Sequence, residues 1–349
     1  MSNQRKNNKV QIQYRELPLT EMSGLFEFYR RFHEDAEAVE KYFRWRQKGL
    51  TASGGNCPIV AEVDGKIVGA VNVMPVRLVC KGQSINATWQ GNTLVSPEMR
   101  GRGVGKCLLN AGAKGYPLIL GKGTTSAMYQ VKLKEGFQDV PHSNYLIKVL
   151  APWDIKRPLH KKLIFFLYSF LGRLKYSSTK APDLEIQAVK KFDDRYNQLA
   201  EQLLRHPDLK LYKDRDYLNW RYADCPDKNY LILQVVREDN LLGAIVISPN
   251  KTVGETAWIL DVISDVNEPT GIGKLLDESI QYAISLKAAD IRIFATSVKV
   301  RKILADKGFI NINYTPRFTY RFTDKALEVE LAEAEWNFWQ GDGDYELYQ

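Results

Sequence analysis

A basic, glycine-rich loop at residues 96–106 carries the clearest chemical signal in this chain. It follows an apolar, strand-like run that ends at Val95, and it leads directly into an apolar helical pattern. Glycines and basic residues make up most of its second half: Arg100, Gly101, Arg102, Gly103, Gly105 and Lys106. Glycine allows a backbone to approach a ligand closely, and the N–H groups at the start of a helix bind anions. The loop therefore predicts a cradle for a pyrophosphate between a strand and a helix.

Two common phosphate-binding fingerprints do not fit this loop. The Gly-x-Gly-x-x-Gly dinucleotide pattern needs a glycine where Lys106 stands, and the P-loop pattern needs Ser or Thr where Cys107 stands. The pattern that fits is Arg-x-x-Gly-x-Gly from Arg100 to Gly105, preceded by Val-Ser-Pro-Glu. It closely resembles the coenzyme A signature of the GNAT superfamily of acyl-CoA N-acyltransferases.

This resemblance implies direct transfer of an acyl group from acyl-CoA, with acetyl-CoA as the expected cosubstrate and no metal. Backbone N–H groups of the loop would hold the pyrophosphate, and the strand edge would pair with the pantetheine arm as another strand does. A backbone N–H there would polarise the thioester carbonyl. The residues implied in coenzyme A binding are Leu94, Val95, Arg100, Gly101, Arg102, Gly103, Val104, Gly105 and Lys106.

The catalytic acid and base are less clear from the sequence. The family resemblance implies a tyrosine four residues before a Gly-Phe pair, but Lys132 stands there. Tyr129 lies one helical turn earlier and could replace it, or it could be an aromatic residue packed between helix and sheet. Glu98 is the other catalytic candidate, although it could instead cap or anchor the loop. In the second half of the chain, Asp261 is either a perturbed carboxylate or a hydrogen-bonded structural residue.

The chain contains the same landmarks twice, in the same order. Tyr-Phe-Arg-Trp-Arg at 42–46 returns as Tyr-Leu-Asn-Trp-Arg at 217–221, and Gly-Val-Gly-Lys at 103–106 returns as Gly-Ile-Gly-Lys at 271–274. A strand pair with its glycine (Gly69, Gly243) and a Gly-Phe pair (136–137, 308–309) also recur, so the chain is read as two copies of one domain.

The repeat and the resemblance together predict an α/β chain of two tandem GNAT-like domains, each a twisted mixed sheet with helices on both faces. The expected domains are residues 10–150, which bind acyl-CoA, and 183–323, a degenerate copy. Residues 151–182 would be an apolar, basic segment and linker, and residues 324–349 an acidic, Trp-containing tail. The fourth and fifth strands, which splay apart in this fold, are expected at 87–95 and 116–120, and at 256–264 and 290–294. The last helix of each copy is expected at 126–134 and 298–306.

The second copy departs from the signature at one decisive position. Glu268 stands where the first copy has Arg100, and a carboxylate there would repel the phosphates. We therefore expect the first copy to bind acyl-CoA and the second to have a structural or substrate-shaping role.

Composition places limits on the class of protein. The 349 residues suggest two domains, and four scattered cysteines and four scattered histidines do not suggest disulfides or metal. The net charge is +8, and the start of the chain does not resemble a signal peptide, so a cytoplasmic protein is expected. No nucleic-acid-binding pattern is found. Residues 159–175, an apolar run with basic flanks, predict either weak contact with a membrane surface or a linker helix buried between the domains.

The function expected from these features is N-acyl transfer, with an acetyl group passing from acetyl-CoA to the primary amine of a small molecule. The chain also resembles bacterial tandem acyltransferases associated with surface-polysaccharide synthesis, which implies an amino sugar as acceptor. The alternative is a non-catalytic protein that binds acyl-CoA as a sensor or scaffold.

Overall fold

The computed structural model describes residues 11–33, 35–49, 58–152 and 159–343. The strands in these ranges are β1 (Gln13–Glu16), β2 (Ile59–Val63), β3 (Lys66–Cys80), β4 (Gln83–Val95), β5 (Leu118–Gly121), β6 (Gln138–Asp139), β7 (Tyr145–Val149), β8 (Glu185–Val189), β9 (Leu209–Leu211), β10 (Leu231–Arg237), β11 (Asn240–Ser248), β12 (Thr256–Ser264), β13 (Asp290–Phe294), β14 (Ile310–Asn311), β15 (Thr319–Phe322) and β16 (Trp336–Asn337). The α-helices are α1 (Met22–Tyr29), α2 (Ala36–Gly49), α3 (Val104–Gly112), α4 (Ser126–Lys134), α5 (Leu159–Lys175), α6 (Arg195–Leu204), α7 (Arg215–Leu218), α8 (Pro269–Ser285), α9 (Val298–Asp306) and α10 (Lys325–Glu330).

The first sheet has the strand order β1-β2-β3-β4-β5-β15-β6, and β9 joins it along β3. Neighbouring strands pair antiparallel except for β4 with β5 and for β9 with β16, which pair in parallel. Alternate residues of β2 face opposite layers, because Val60 packs under α1 and α2 whereas Ile59 and Ala61 pack under α3. The sheet therefore carries helices on both of its faces, as expected.

The second sheet has the order β14-β7-β13-β12-β11-β10-β8 and repeats this plan. Helix α8 packs on Ile245 and Ile247 of β11, and α6 packs on Ala244 and Val246 of the same strand. The mixed α/β architecture with two such units is confirmed. The positions expected for strands β12 and β13 and for helices α4 and α9 agree with the structure.

The two copies exchange strands, and besides β9 and β16, which extend the first sheet, one equivalent strand of each copy lies in the other copy's sheet. Strand β7 precedes the second sheet in the chain yet lies in it, between β13 and β14. Strand β15 comes from the second copy and lies in the first sheet, between β5 and β6. Each copy therefore completes the other, while the domain boundaries stated above stay a prediction.

Candidate acyl-CoA cleft

The cleft of the first sheet begins where β4 and β5 separate. The two strands pair in parallel only from Ala87 to Trp89, opposite residues 118–120. Strand β4 continues to Val95, where it pairs with β3 on its other edge. A register shift in that pairing accompanies Asn92, whose φ of 47° lies in the left-handed region. Residues 90–95, including Leu94 and Val95, thus present a strand edge turned away from β5, and pairing of the pantetheine arm with this edge stays a prediction.

The glycine-rich loop follows this edge directly. Its entry is held by the Ser96 N–H, which donates to the Val68 carbonyl oxygen at 2.9 Å. Gly101 and Gly103 have φ values of 77° and 80°, and a Cβ on either would meet no atom of the protein within 4 Å. These two positions therefore need glycine for backbone conformation, and the space beside them stays open to a ligand.

Helix α3 starts in this loop, with Gly103 as its N-cap and Val104 as its first residue. The Cys107 N–H donates to the Gly103 carbonyl oxygen at 3.1 Å. The N–H groups before it, through Gly105 and Lys106, have no acceptor within the helix because they belong to its first turn. The partial positive charge of the helix start adds to the attraction for an anion.

Two of the three basic side chains of the loop, Arg100 and Lys106, contact other residues of the protein, and the third, Arg102, faces solvent. The Arg100 Nε donates to the Val95 carbonyl oxygen at 3.1 Å, which ties the loop to the strand end. The Lys106 ammonium lies 2.8 Å from the Glu135 carboxylate, and this pairing raises the pKa of Lys106 and lowers that of Glu135. Arg102 is exposed. Lys106 is thus held at the rim of the site by an acid of α4's C-cap.

Lys132 is a site residue that the sequence reasoning passed over. Its side chain is fully buried, and its Nζ donates to the Thr124 Oγ1 at 3.3 Å. A Cβ built on Gly121, the last residue of β5, would collide with this Nζ and would lie 3.2 Å from the Gln90 carbonyl oxygen. The ammonium therefore lies at the point where β4 and β5 separate.

Burial away from water lowers the pKa of Lys132 to about 8, because the charged form loses hydration. The signal in the sequence was its position, four residues before the Gly136-Phe137 pair. Lys132 was not named as a candidate from the sequence because the family resemblance implies a tyrosine at this position.

The structure separates the two catalytic candidates named from the sequence. The Tyr129 hydroxyl donates to the Asp139 carboxylate at 2.6 Å, and this hydrogen bond raises its pKa. Glu98 is exposed on a 3-10 turn (Pro97–Met99) next to the loop. Their catalytic roles stay predictions.

A small polar cavity lies on the α2 side of the same splay. Its accessible space is about 10 Å³, room for about one water molecule, and it is lined by Arg46, Asn72, Trp89, Gln90, Lys122 and Gly343, among others. The Asn72 Nδ2 and Trp89 Nε1 atoms are buried without a hydrogen-bond partner among the described residues, whereas the Gln90 side chain lies on the other face of the sheet, where its Nε2 donates to the Leu109 carbonyl oxygen of α3. Buried polar groups normally have partners, so the two unpartnered atoms are suited to a polar ligand.

The corresponding cleft of the second sheet is filled by the chain itself. Strands β12 and β13 pair as far as Ile259 and Ile293, and the C-terminal segment (residues 336–343) enters beyond that point. Trp339 forms a β-bridge with Ala295, which directly follows β13, and is 3% exposed in the core of this sheet. The Arg221 guanidinium donates to the carbonyl oxygens of residues 341 and 343 at 3.0 and 2.9 Å.

A buried ionic cluster fastens the C-terminal segment to β12. The Lys213 ammonium lies 2.6 Å from Asp261 and 2.5 Å from Asp342, and the Tyr222 hydroxyl donates to Asp261 at 2.7 Å. Burial opposes the charge of Lys213, but the two carboxylates outweigh it and raise the pKa of this lysine. Asp261 is thus a hydrogen-bonded structural residue, one of the two interpretations left open by the sequence.

Among the described residues, no cluster of histidine, cysteine, aspartate or glutamate is arranged to hold a metal ion.

Comparison with known proteins agrees with this geometry. Residues 13–117 match the family model described as an acetyltransferase (GNAT) domain. No curated protein sequence matches the chain significantly.

Several solved structures share the fold. A GCN5-related N-acetyltransferase from Anabaena variabilis has a TM-score of 0.61 and 13% identity, over 90% of this chain and 73% of that one. N-myristoyltransferase from Saccharomyces cerevisiae, with bound myristoyl-CoA, has a TM-score of 0.56 and 12% identity, over 88% and 82%. A tandem GNAT protein from the clavulanic acid biosynthesis pathway has a TM-score of 0.51 and 10% identity, over 90% and 99%.

At such identities these likenesses show the fold, and the family match is confined to residues 13–117. Residues 13–117 therefore match a GNAT acetyltransferase domain, and the solved structures show that the chain has the fold of GNAT proteins, including a tandem one.

Proposed function

We propose that this protein transfers an acetyl group from acetyl-CoA, bound in the cleft of the first sheet, to the primary amine of a small molecule. The observation that carries the proposal is the open strand edge at 90–95 followed by a glycine loop at a helix start. The pyrophosphate would meet the N–H groups of residues 101–106, and the pantetheine arm would lie along Leu94 and Val95. Arg100 would act on the phosphates indirectly, because its hydrogen bond to the Val95 carbonyl oxygen holds the loop in place.

The thioester of acyl-CoA supplies an activated carbonyl carbon and a thiolate leaving group. The amine nitrogen forms a bond to that carbon as the carbon–sulfur bond breaks. We assign Lys132 as the group that protonates the departing sulfur, because its ammonium lies at the splay and its pKa of about 8 suits proton donation near neutral pH. The proton lost by the amine passes to water or to a base, for which Glu98 stays a candidate. Tyr129, held by Asp139, would shape the same side of the site.

The acceptor amine would reach the thioester from the cavity on the α2 side. The unpartnered Asn72 Nδ2 and Trp89 Nε1 support a polar acceptor with several hydrogen-bonding groups, and the cavity must widen to admit it, because it now has room for about one water molecule. An amino sugar has this character, and it agrees with the resemblance to enzymes of surface-polysaccharide synthesis. The proposed location is the cytoplasm, where acyl-CoA is available.

We propose that the second copy binds no acyl-CoA. Trp339 and the C-terminal segment occupy the cleft in which the pantetheine arm would lie. Glu268, at the N-cap of α8, adds a negative charge where phosphates would sit. This copy supports the first by supplying β15 and by holding the C-terminal segment.

Release of free thiol from acetyl-CoA tests the proposal, with a panel of amino sugars, amino acids and polyamines as acceptors. Acceptor-dependent thiol release with amino sugars is the expected result. Faster release of thiol from an acyl-CoA with a longer acyl chain would show that the protein transfers that acyl group rather than acetyl, by the same reaction. Tight coenzyme A binding with no release by any acceptor would favour the alternative of an acyl-CoA sensor.

A further inference from the structure

Helix α5 presents a continuous apolar face to solvent. Seven of its large apolar side chains are between 37% and 69% exposed: Leu163, Ile164, Phe166, Leu167, Phe170, Leu171 and Leu174. At about 100° per residue, these positions cover an arc of about 160° on one side of the helix. Soluble proteins rarely expose a contiguous apolar area of this kind unless it is an interaction surface.

The opposite side of α5 attaches the helix to the protein. Phe165 packs on Ile147 and Val149 of β7, and Ser169 is buried on the same side. Gly172 approaches the backbone so closely that a Cβ there would lie 2.7 Å from the Gly308 carbonyl oxygen. Because the helix is fixed along its inner side, the apolar face is a lasting part of the surface, and the helix is not buried between the two copies.

Basic residues border the apolar face. At about 100° per residue, Lys162 and Arg173 fall on one border and Lys175 on the other. Helix α5 contains no aspartate or glutamate. Long basic side chains on such borders extend toward lipid phosphates while their methylene groups stay on apolar surface.

We infer that this face of α5 binds the surface of a membrane containing anionic lipid, with the helix lying in the plane of the membrane. The apolar side chains would enter the boundary between headgroups and acyl chains, and the basic borders would meet the phosphates. In the described part of the chain no helix is long and apolar enough to cross a membrane. Pairing with the same face of a second copy would bring like-charged borders together. This surface is separate from the acyl-CoA cleft, so the inference does not depend on the proposed reaction.

Co-sedimentation of the full chain with vesicles tests the inference. The probes are vesicles of phosphatidylcholine alone and of phosphatidylcholine with phosphatidylglycerol, each at low and high salt. We expect binding to the anionic vesicles at low salt, weakened by roughly fivefold or more at high salt as the charges are screened. Absence of binding to anionic vesicles at low salt would overturn the inference.

Two sets of variants locate the contact. Phe166→Glu with Phe170→Glu should weaken vesicle binding by about tenfold or more, since the apolar contribution is lost and a like charge faces the lipid. The matched control is Ile284→Glu with Val329→Glu, two apolar residues that are 48% and 77% exposed elsewhere, and it should bind as the unchanged chain does. Equal weakening by both pairs would contradict the assignment to α5.

The same variants test whether a second copy of the chain, rather than a membrane, covers the apolar face of α5. Sedimentation velocity of the unchanged chain without lipid should show no dimer that grows with concentration. A dimer that forms in the unchanged chain and is abolished by the Phe166 and Phe170 substitutions would instead assign the face to a second copy. Circular dichroism of each variant should match that of the unchanged chain, so that loss of binding reports the surface and not unfolding. Arg173→Glu with Lys175→Glu leaves the apolar face intact and should remove the preference for anionic vesicles, and an unchanged preference would contradict the role of the basic border.

Discussion

Trp45 and Trp220 stack with their ring centroids 5.0 Å apart and their planes at 17°. Each indole Nε1–H donates to the backbone carbonyl oxygen of the other residue, at 3.1 and 3.2 Å. The two tryptophans hold equivalent places in the repeat, so this reciprocal contact joins the two copies at matching points. The arginines that follow them have different contacts. Arg221 donates hydrogen bonds to the C-terminal segment, whereas Arg46 lines the cavity of the first copy.

Replacing Trp45 by alanine should lower the free energy of unfolding by about 3 kcal/mol, because a large buried ring and its hydrogen bonds are lost. Trp220→Ala should have a similar effect. The double variant should cost less than the sum of the two single variants, since both remove the same stack. Urea unfolding measures all three, and strict additivity would contradict a direct coupling of the rings.

Gly103→Val should reduce the affinity for coenzyme A by more than about tenfold, because its φ of 80° disfavours a branched residue and its Cβ would occupy the phosphate space. The matched control is Gly115→Val, at a φ of 81° and with equally open surroundings but at the other end of α3. Calorimetric titration compares them. An unchanged affinity in the Gly103 variant would reject the assignment of the loop.

Lys132→Met should lower kcat by about a hundredfold or more if this lysine protonates the leaving thiolate. In the unchanged chain the acid must carry its proton, so kcat should fall as the pH rises past about 8. The variant should lose that alkaline limb. Lys134→Met, an exposed lysine of the same helix, should keep both the rate and the profile. A Lys132 variant with the original kcat and alkaline limb would remove this residue from the mechanism.

The same substitution should stabilise the folded protein at neutral pH. The pKa of Lys132 falls from its usual 10.5 to about 8 on folding, so burying the charged form opposes folding below pH 8. Lys132→Met should therefore raise the free energy of unfolding at pH 7 by up to about 3 kcal/mol.

Between pH 8 and 10.5 the unfolded state of the unchanged chain binds more protons, so its own stability rises with pH and the advantage of the variant shrinks. Urea unfolding of both proteins at pH 7 and pH 10 checks the sign. A variant that is less stable than the unchanged chain at pH 7 would show that the ammonium is well compensated where it lies.

Titration with coenzyme A should give one site per chain, because the C-terminal segment fills the second cleft. Glu268→Arg, which restores the basic residue of the signature, should still give one site, since it leaves Trp339 in place. Two equivalent sites in the unchanged chain would contradict this reading. A second site created by Glu268→Arg alone would show that charge, and not the filled cleft, excludes the ligand.

The repeat, the main helices and the glycine-rich loop could be predicted from the sequence because residues close together in the chain determine each of them. The positive φ at Gly101 and Gly103, the helix start at Val104 and the apolar runs of β12 and β13 all arise from neighbouring residues. The glycine-rich loop therefore follows the strand edge and starts the helix as the sequence predicts, while its binding of coenzyme A stays a prediction.

Other features were decided by contacts between distant residues. Strands β7 and β15 hold equivalent places in the two copies, and their local patterns cannot say which sheet each one joins. The filled second cleft depends on Trp339 and Asp342 meeting Ala295 and Lys213, far away in the chain. Nor does the sequence near Lys132 show that its ammonium ends in a dry position beside Gly121. Burial is a property of the assembled fold, and burial is what lowers the pKa of this lysine to about 8.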